Sequence, residues 1–286
     1  MTRPRPAAVG GDWQTWWRVS WKAAGVESSA PGDPGVEGGT DGGQASPGAR
    51  TVEACKQYGT GDAAVHALRG VSVEFAAGSF GAIMGPSGSG KSTLLHCTAG
   101  LDRLSSGQAF IGDLEVSNLS ENDAAVMRRN RVGFVFQSFN LLSTMSVSEN
   151  ITLPFSISRT ALDTAWIEYL VDLLGLGDRM DHRPAELSGG QQQRVAVARA
   201  LAPRPEIVFA DEPTGNLDTK AGNELLGLLA DVVRTSGQTV VMVSHDPGAV
   251  GFTDRVVFLV DGRLVGELVH PTPDTVLDHM RIHETR

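Results

Sequence analysis

Cysteine is scarce in this sequence, which has only Cys55 and Cys97 among its 286 residues. No CxxC pair and no cysteine and histidine cluster has the spacing of a zinc site, so a disulfide framework and a zinc module are both excluded. Long apolar runs are also missing: stretches such as 256–260 last a few residues, whereas a membrane-spanning helix needs about 20. The cysteine content fits a reducing cytoplasm, and we expect that the chain does not cross a membrane by itself.

An excess of positive charge is absent as well, because 24 Lys and Arg residues stand against 33 Asp and Glu residues, for a net charge of -9. Proteins that bind nucleic acid through bulk charge are basic, so we expect no nucleic-acid partner, although a local basic groove is compatible with this balance. Glycine, by contrast, is abundant at 34 residues. Glycine at this level marks either disorder or backbone that approaches a ligand closely.

The first 50 residues differ in composition from the rest of the chain. The second half of this segment consists mainly of Gly, Pro, Ser, Asp and Glu, and we predict a disordered Gly/Pro-rich extension over 1–50. Trp13, Trp17 and Trp21 recur at every fourth residue beside basic residues, a pattern that on a helix favours a membrane surface. The alternatives are an unstructured extension without this role, or translation that begins nearer Val52.

After residue 50 the pattern is that of an alternating α/β fold. Short apolar runs predict strands, and the segments between them have helical spacing. Strands are predicted at 52–56, 67–75, 79–84, 132–136, 207–210 and 239–243, and helices at 92–99, 162–174, 191–201 and 221–233. Strands that alternate with helices form a largely parallel sheet that is covered on both faces.

The C-terminal part carries a hairpin signal. Asp261 and Gly262 stand between two apolar runs and predict a tight turn. The residues that follow His270 have the pattern of a peripheral helix or tail. We therefore place the folded domain at 51–270 and the C-terminal tail at 271–286.

A glycine-rich motif follows one of the apolar strands. It consists of Gly85, Pro86, Ser87, Gly88, Ser89, Gly90, Lys91 and Ser92 and matches the pattern GxxxxGK[ST]. Glycines let backbone N–H groups surround an anion, and the start of the next helix adds unpaired donors and the positive end of its dipole. We expect Lys91 to reach the β- and γ-phosphates and Ser92 to ligate Mg²⁺. Thr93 is assigned to the nucleotide site as well, and His96 and Cys97 are interpreted as packing residues.

Two carboxylates end a second apolar strand. Asp211 and Glu212 follow the run 207–210, and the carboxyl ends of parallel strands are where such sheets place their ligands. Asp211 is predicted to hold Mg²⁺, usually through water, and Glu212 to polarise a water for in-line attack on the γ-phosphate. Neighbouring side chains on a strand point in different directions, so the two carboxylates cannot perform the same task.

A third motif, LSGGQQQR at 187–194, lies between these two. It opens an apolar helical run, so Ser188 and the two glycines form another helix N-terminus with free N–H groups. The motif resembles the signature of ATP-binding-cassette (ABC) ATPases, and the resemblance covers about 51–268, most closely in the macrolide-exporter and lipoprotein-releasing group. It implies an α/β P-loop NTPase (RecA-like) fold with a mostly parallel sheet, an antiparallel β subdomain and an inserted helical subdomain at about 138–200.

The resemblance also implies that ATP is bound by two copies of the chain. Ser188, Gly189 and Gly190 would contact the nucleotide that Lys91 of a second copy holds, in a head-to-tail dimer around two ATP molecules. Such a dimer explains why one chain carries two anion-binding helix N-termini. ATP and Mg²⁺ are thus the implied cofactors.

Four further positions acquire roles from the resemblance. Gln137 resembles the glutamine that links Mg²⁺ and the attacking water to the transporter contact surface, and His245 resembles the switch histidine that hydrogen-bonds the γ-phosphate. Asp218 resembles the residue that connects the two active sites across the dimer. Tyr58 is the candidate for stacking on adenine, because it lies in a loop after a short strand upstream of the glycine-rich motif.

The resemblance favours one function and leaves two others open. The favoured function is the ATPase subunit of an export or mechanotransmission system that drives a separate membrane permease. Residues 138–158 resemble the segment of the family's helical subdomain that grips the permease. The protein would then be cytoplasmic and peripheral on the inner face of the plasma membrane. One alternative is a cassette that signals through a permease-like membrane protein, as in cell-division regulators. The other is a soluble cassette acting on DNA or ribosomes, which usually carries two cassettes, a coiled coil or zinc modules.

Overall fold

The first strand, β1 (Pro47–Tyr58), opens the fold in a computed structural model that describes residues 47–284. Ala49 is fully buried in this strand and pairs with Phe75 on one side and Ile111 on the other. The folded part therefore begins before the predicted boundary at residue 51. The earlier part of the predicted extension, with the tryptophans at 13, 17 and 21, lies outside the described residues.

A six-stranded sheet forms the centre of the fold. Its strands are β3 (Phe80–Met84), β6 (Val132–Phe136), β7 (Ile207–Asp211), β8 (Thr239–Val243), β9 (Arg255–Val260) and β10 (Arg263–Val269), in the order β10-β9-β3-β8-β7-β6. All but β10 are parallel, and β10 pairs antiparallel with β9. The predicted largely parallel sheet is confirmed. Because β3 and β8 are buried along their whole length, their sequences are nearly continuous apolar runs.

A second sheet is antiparallel. It contains β2 (Val65–Ala76), β1, β4 (Ser106–Ile111) and β5 (Leu114–Glu115), in that order. The apolar runs at 52–56 and 67–75 predict its first two strands along the chain, whereas β4 and β5 were not predicted. This sheet is the antiparallel β subdomain that the family resemblance implies.

Helices cover the central sheet. They are α1 (Lys91–Thr98), α2 (Glu121–Arg131), α3 (Val147–Ser158), α4 (Thr164–Leu173), α5 (Gly189–Leu201), α6 (Thr219–Ser236) and α7 (Pro273–Glu284). Helix α5 begins with a capping box in which the Ser188 and Gln191 side chains satisfy each other's backbone N–H groups. The indole N–H of Trp166 on α4 donates to Leu201 O at 3.0 Å, which joins α4 to the end of α5. The helical subdomain at about 138–200 remains a prediction, and helices α3, α4 and α5 lie within or at the end of that range.

The central sheet separates two hydrophobic cores, because successive side chains on a strand point to opposite faces. On β3, Ala82 and Met84 belong to the core that α3 to α7 share, whereas Ile83 belongs to the core with α1 and the antiparallel sheet. All three side chains are almost inaccessible to water. The loop that follows Met84 therefore starts from firmly held backbone.

The C-terminal end contains the predicted hairpin and a helix. Asp261 and Gly262 both have positive φ, 48° and 73°, as a two-residue hairpin turn with two left-handed residues requires. Helix α7 follows and buries Val276 in the core, so the segment predicted as a peripheral helix or tail is a packed helix. Within residues 47–284, every helix is too short or too polar to span a bilayer.

Candidate active site

The loop of residues 85–90 connects β3 to α1 and depends on two glycines. Gly85 has a φ of 147° and Gly90 a φ of 100°. A Cβ atom at Gly85 would lie 2.0 Å from Leu259 O, and one at Gly90 would lie 2.3 Å from Ala67 O. Neither position accepts a side chain without a backbone shift. The loop therefore exposes backbone where a phosphate would need N–H donors.

Helix α1 begins at Lys91 without a capping side chain. Its N-cap, Gly90, has no side chain to accept from the first-turn N–H groups, which remain available to an anion. Lys91 is buried, and its Nζ donates to Pro86 O at 2.8 Å across the loop. Burial lowers the pKa of Lys91, while the charges of Glu212 and Asp211 oppose that shift. The ammonium group thus lies inside the loop, in the field of both carboxylates.

Ser92 and Asp211 meet at the carboxyl edge of the sheet. Ser92 Oγ donates to Asp211 Oδ1 at 2.8 Å, and His96 Nε2 lies 3.2 Å from Asp211 Oδ2. Burial alone would raise the pKa of Asp211, but His96, Ser92 and the charge of Lys91 hold it below its usual value. Asp211 is therefore ionised. His96, interpreted from the sequence as a packing residue, instead contacts the predicted metal ligand.

The Ser92 and Asp211 pair has the chemistry of a magnesium site. It offers a hydroxyl and a carboxylate oxygen side by side, which are the hard oxygen ligands that Mg²⁺ prefers. Among residues 47–284, no group of three or more His, Cys, Asp or Glu side chains could hold a metal on its own. This donor set fits an ion that takes one or two protein oxygens and completes its shell with water and substrate phosphates.

Glu212 lies next to Asp211 but has a different backbone conformation and different neighbours. Its φ is 48°, in the left-handed region, and its backbone N–H donates to Val243 O at 3.1 Å. Its Oε1 lies 3.2 Å from Nδ1 of His245, and both side chains line a cleft of about 360 Å³ at the ends of β7 and β8. The structure thus brings together the predicted general base and the predicted switch histidine.

Gln137 directly follows β6, the neighbour of β7. Its side chain packs against Gly215, and its carbonyl oxygen accepts a hydrogen bond of 2.8 Å from Asn216 Nδ2. The register of the sheet aligns Phe136 with Asp211. Gln137 is therefore held beside the segment that follows Glu212, at the same edge of the sheet.

Two side chains of α5 hold this region, and neither role was predicted from the sequence. Gln193 is fully buried, and its Nε2 donates to Phe136 O at 3.2 Å and to Pro213 O at 2.7 Å. Arg199 donates to the carbonyl oxygens of residues 139 and 140, at 3.0 and 2.6 Å, and burial lowers its pKa. Both residues lie on the helix that the signature motif opens. Their targets, however, are backbone groups far away in the sequence.

The signature motif and Asp218 lie at two helix starts. Ser188 Oγ accepts from the N–H of Gln191 at 3.3 Å, and Asp218 Oδ1 accepts from Ala221 N at 2.9 Å. The backbone of Gly190 approaches Ala221 at the start of α6. The approach of Gly190 to Ala221 joins α5 to α6, whereas each of the two hydrogen bonds lies within one helix start. None of these three contacts includes a residue of the loop 85–90.

Tyr58 lies at the end of β1 beside α1. Its ring is 43% exposed, and its hydroxyl donates to Asp102 Oδ2 at 2.7 Å and contacts Thr93. Lys56 Nζ lies 4.8 Å from the ring centroid and donates to Asp102 Oδ1 at 2.6 Å. Burial, followed by the hydrogen bond with Asp102, raises the pKa of Tyr58 to about 12. The ring is therefore neutral, partly exposed and next to the helix that carries Lys91.

Three features define a P-loop ATPase: a glycine loop between a strand and a helix, a pair formed by a helix hydroxyl and a strand-end carboxylate, and a glutamate directly after that carboxylate. The chain belongs to the ABC transporter family, whose family model matches residues 68–215. The resemblance of the three motifs to this family is confirmed, and with it the fold and the ATPase class.

Relatives of two kinds match the chain. An uncharacterized ABC transporter ATP-binding protein of Thermotoga maritima is 46% identical over 217 residues, which are 75% of this chain and 92% of that protein. The macrolide export ATP-binding/permease protein MacB of Chlorobaculum tepidum is 46% identical over 218 residues, which are 76% of this chain. The chain spans only 33% of the length of that exporter.

Two solved structures of one bacterial cassette, MJ0796, share the fold. Both are dimeric, and one is a post-hydrolysis state bound to ADP and Pi. They match with TM-scores of 0.71 and 0.70 at 37% sequence identity, and the match covers 78% of this chain and 99% of that cassette.

Proposed function

We propose that this chain hydrolyses ATP with the help of Mg²⁺ and drives a separate membrane permease. The observation that carries the proposal is the 2.8 Å contact between Ser92 Oγ and Asp211 Oδ1, with Glu212 as the next residue. A hydroxyl in the first turn of α1 and a carboxylate at the end of β7 suit a metal at the β- and γ-phosphates. The adjacent glutamate then suits activation of water.

Each residue has a distinct task in the proposed reaction. The loop 85–90 and the N-terminus of α1 bind the phosphates, and Lys91 exchanges its bond to Pro86 O for phosphate oxygens. Bound Mg²⁺ would neutralise charge that develops on those oxygens. Glu212 accepts a proton from the attacking water, and His245, 3.2 Å from Glu212, orients that carboxylate and binds the γ-phosphate.

The proposed catalytic unit is a head-to-tail dimer. Ser188 is exposed at the start of α5, and the N–H groups of this helix N-terminus would be the donors to a phosphate. A second copy would place its loop 85–90, with bound ATP, against the start of α5. Asp218, at the start of α6, would then lie beside this contact between the two copies. The dimeric structures of the related cassette MJ0796 support a dimer of this chain.

The permease contact is proposed for a groove of about 500 Å³ between α2, α3 and α5. Its rim carries the exposed apolar side chains of Leu101, Val126 and Ile157, which suit an apolar helix of a membrane partner. Arg199 also lines the groove and holds the loop after Gln137. A helix docked there would thus influence Gln137. The chain would then lie on the cytoplasmic face of the membrane. Its match to one third of a MacB, a protein named as both ATP-binding and permease, supports a permease partner.

The Glu212→Gln variant tests the hydrolytic role. Binding of ATP should persist, because the phosphate loop is unchanged, while the hydrolysis rate should fall about 100-fold or more when the general base is lost. The trapped nucleotide should convert the chain to a dimer in gel filtration with Mg²⁺ and ATP. Glu74→Gln, an exposed glutamate on β2, is the matched control and should behave like the unaltered chain.

The Lys91→Ala variant tests nucleotide binding separately. Loss of a charged donor to phosphate should weaken ATP binding about 10- to 100-fold, measured by equilibrium dialysis or calorimetry.

Each of the two variants has an outcome that would contradict its prediction. Hydrolysis by Glu212→Gln at the normal rate would contradict the role of Glu212. Unchanged ATP affinity in Lys91→Ala would contradict the phosphate-loop assignment itself.

A further inference from the structure

Helix α1 presents two polar side chains to the Asp211 carboxylate. Ser92 and His96 are four residues apart, so they lie on the same face of the helix in successive turns. Ser92 Oγ donates to Oδ1 at 2.8 Å, and His96 Nε2 lies 3.2 Å from Oδ2. Each oxygen of the Asp211 carboxylate is thus contacted by a side chain from a different turn of α1.

His96 packs its ring beside β6, and 35% of its side chain is exposed to solvent. Its backbone carbonyl oxygen accepts from Leu101 N at 2.9 Å, and its ring lies 5.7 Å from that of Phe134 on β6, measured between centroids. Nε2 itself is shielded from solvent, although its N–H is not aligned for a straight hydrogen bond in this structure. The polar group that this atom faces is Asp211 Oδ2. A packing role alone would not require a polar atom here, because a leucine would fill the same space.

We propose that His96 is a positioning residue for the magnesium site: its Nε2–H fixes the plane of the Asp211 carboxylate so that Oδ1 faces Ser92 and the metal. The inference rests on the proposed role of Asp211 as a magnesium ligand. A ligating carboxylate that is free to rotate loses entropy when the metal binds, and an outer hydrogen-bond donor removes that cost in advance. His96 would therefore change metal affinity without touching the metal.

The test measures metal-dependent nucleotide binding rather than turnover. The full-length chain is titrated with Mn²⁺ in the presence of a non-hydrolysable fluorescent ATP analogue, and bound Mn²⁺ is followed in parallel by electron paramagnetic resonance. His96→Leu should raise the metal concentration for half-saturation about tenfold. His96→Gln should restore near-normal values, because its amide nitrogen can reach the place of Nε2, whereas His96→Asn is too short and should not. His182→Leu is the matched control, since His182 contacts Arg179 and not Asp211.

The outcomes separate this inference from the proposed function. If Asp211→Asn weakens metal binding and His96→Leu leaves it within about twofold of normal, the role of His96 is wrong while the magnesium site stands. If neither variant changes the metal dependence, the assignment of Asp211 is wrong as well. Should His96→Leu fail to fold by circular dichroism, the comparison of the Gln and Asn variants decides the question: equal metal affinities would overturn the proposal.

Discussion

At the residue scale, two residues of the site, Gly90 and Glu212, adopt a positive φ for opposite reasons. Gly90 adopts a φ of 100° because it has no Cβ, which lets the loop pass Ala67 O. Glu212 adopts a φ of 48° although it has a Cβ, at a cost of about 1–3 kcal/mol. The hydrogen bond from the backbone N–H of Glu212 to Val243 O holds this conformation. The strained residue is the point at which the side-chain contacts change: Asp211 contacts Ser92, whereas Glu212 contacts His245.

The Gly90→Ala variant should lose both stability and nucleotide binding. Its backbone conformation alone would cost about 1–3 kcal/mol, and its Cβ would also lie 2.3 Å from Ala67 O, so the loop must move. Urea unfolding would measure the first effect and ATP binding the second. The control is Gly251→Ala, where no atom lies within 4 Å of the added Cβ.

Gly251→Ala should change the free energy of unfolding by less than about 0.5 kcal/mol, as surface substitutions usually do. Equal stability and equal ATP affinity of the two alanine variants would show that the loop 85–90 adapts freely. In that case the close approach to Ala67 O would not be what makes Gly90 necessary.

At the element scale, the parallel strands were predictable and several other elements were not. A strand that is buried on both faces must be apolar throughout, as in β3 and β8, and such runs are visible in the sequence. Strand β4 is half exposed, α2 buries only Ala124 and Met127, and α3 contains Pro154, which normally argues against a helix. These elements exist because tertiary packing overrides their weak local signals.

The same distinction applies to the site. The phosphate loop and the strand end at Asp211 are local patterns, so the sequence alone predicts their chemistry. His96 carries a partial signal, because it lies four residues after Ser92 on one helix face. Gln193 and Arg199 bind backbone carbonyl groups of remote loops, and no spacing rule relates them to those partners. Their roles follow only from the folded chain.

The start of β1 yields a prediction about truncation. A chain that begins at residue 51 should be less stable than one that begins at residue 47 by roughly 2–4 kcal/mol, because it loses the buried Ala49 and several ladder hydrogen bonds. Gly48 O also accepts from Gly112 N at 3.0 Å. Urea unfolding of the two chains, with ATP hydrolysis measured alongside, would test this.

The chain that begins at residue 47 serves as the matched control for the shorter one, since it retains all of β1. Equal midpoints of unfolding would mean that the first residues of β1 contribute nothing to the sheet. The fold would then start where the sequence analysis placed it, at residue 51.

At the scale of the whole molecule, the two helix starts that we propose to bind phosphate lie in different parts of the fold. The loop 85–90 and α1 lie at the carboxyl edge of the central sheet, whereas Ser188 opens α5 among the helices. We propose that one nucleotide uses both starts because a second copy provides one of them, in a head-to-tail dimer. Two-fold symmetry then makes two identical composite sites, each built from both chains.

Mixing two inactive variants tests this sharing directly. Lys91→Ala removes the loop lysine and Ser188→Arg blocks the signature, so neither variant should hydrolyse ATP alone. In a mixed dimer, one site combines the intact Lys91 of one copy with the intact Ser188 of the other. Random pairing should therefore restore about a quarter of normal hydrolysis, because half of the dimers are mixed and each has one intact site. Mixing Lys91→Ala with a chain that carries both substitutions is the control and should restore nothing. If the first mixture is no more active than the average of its components, each site is built within a single chain and the head-to-tail arrangement is wrong.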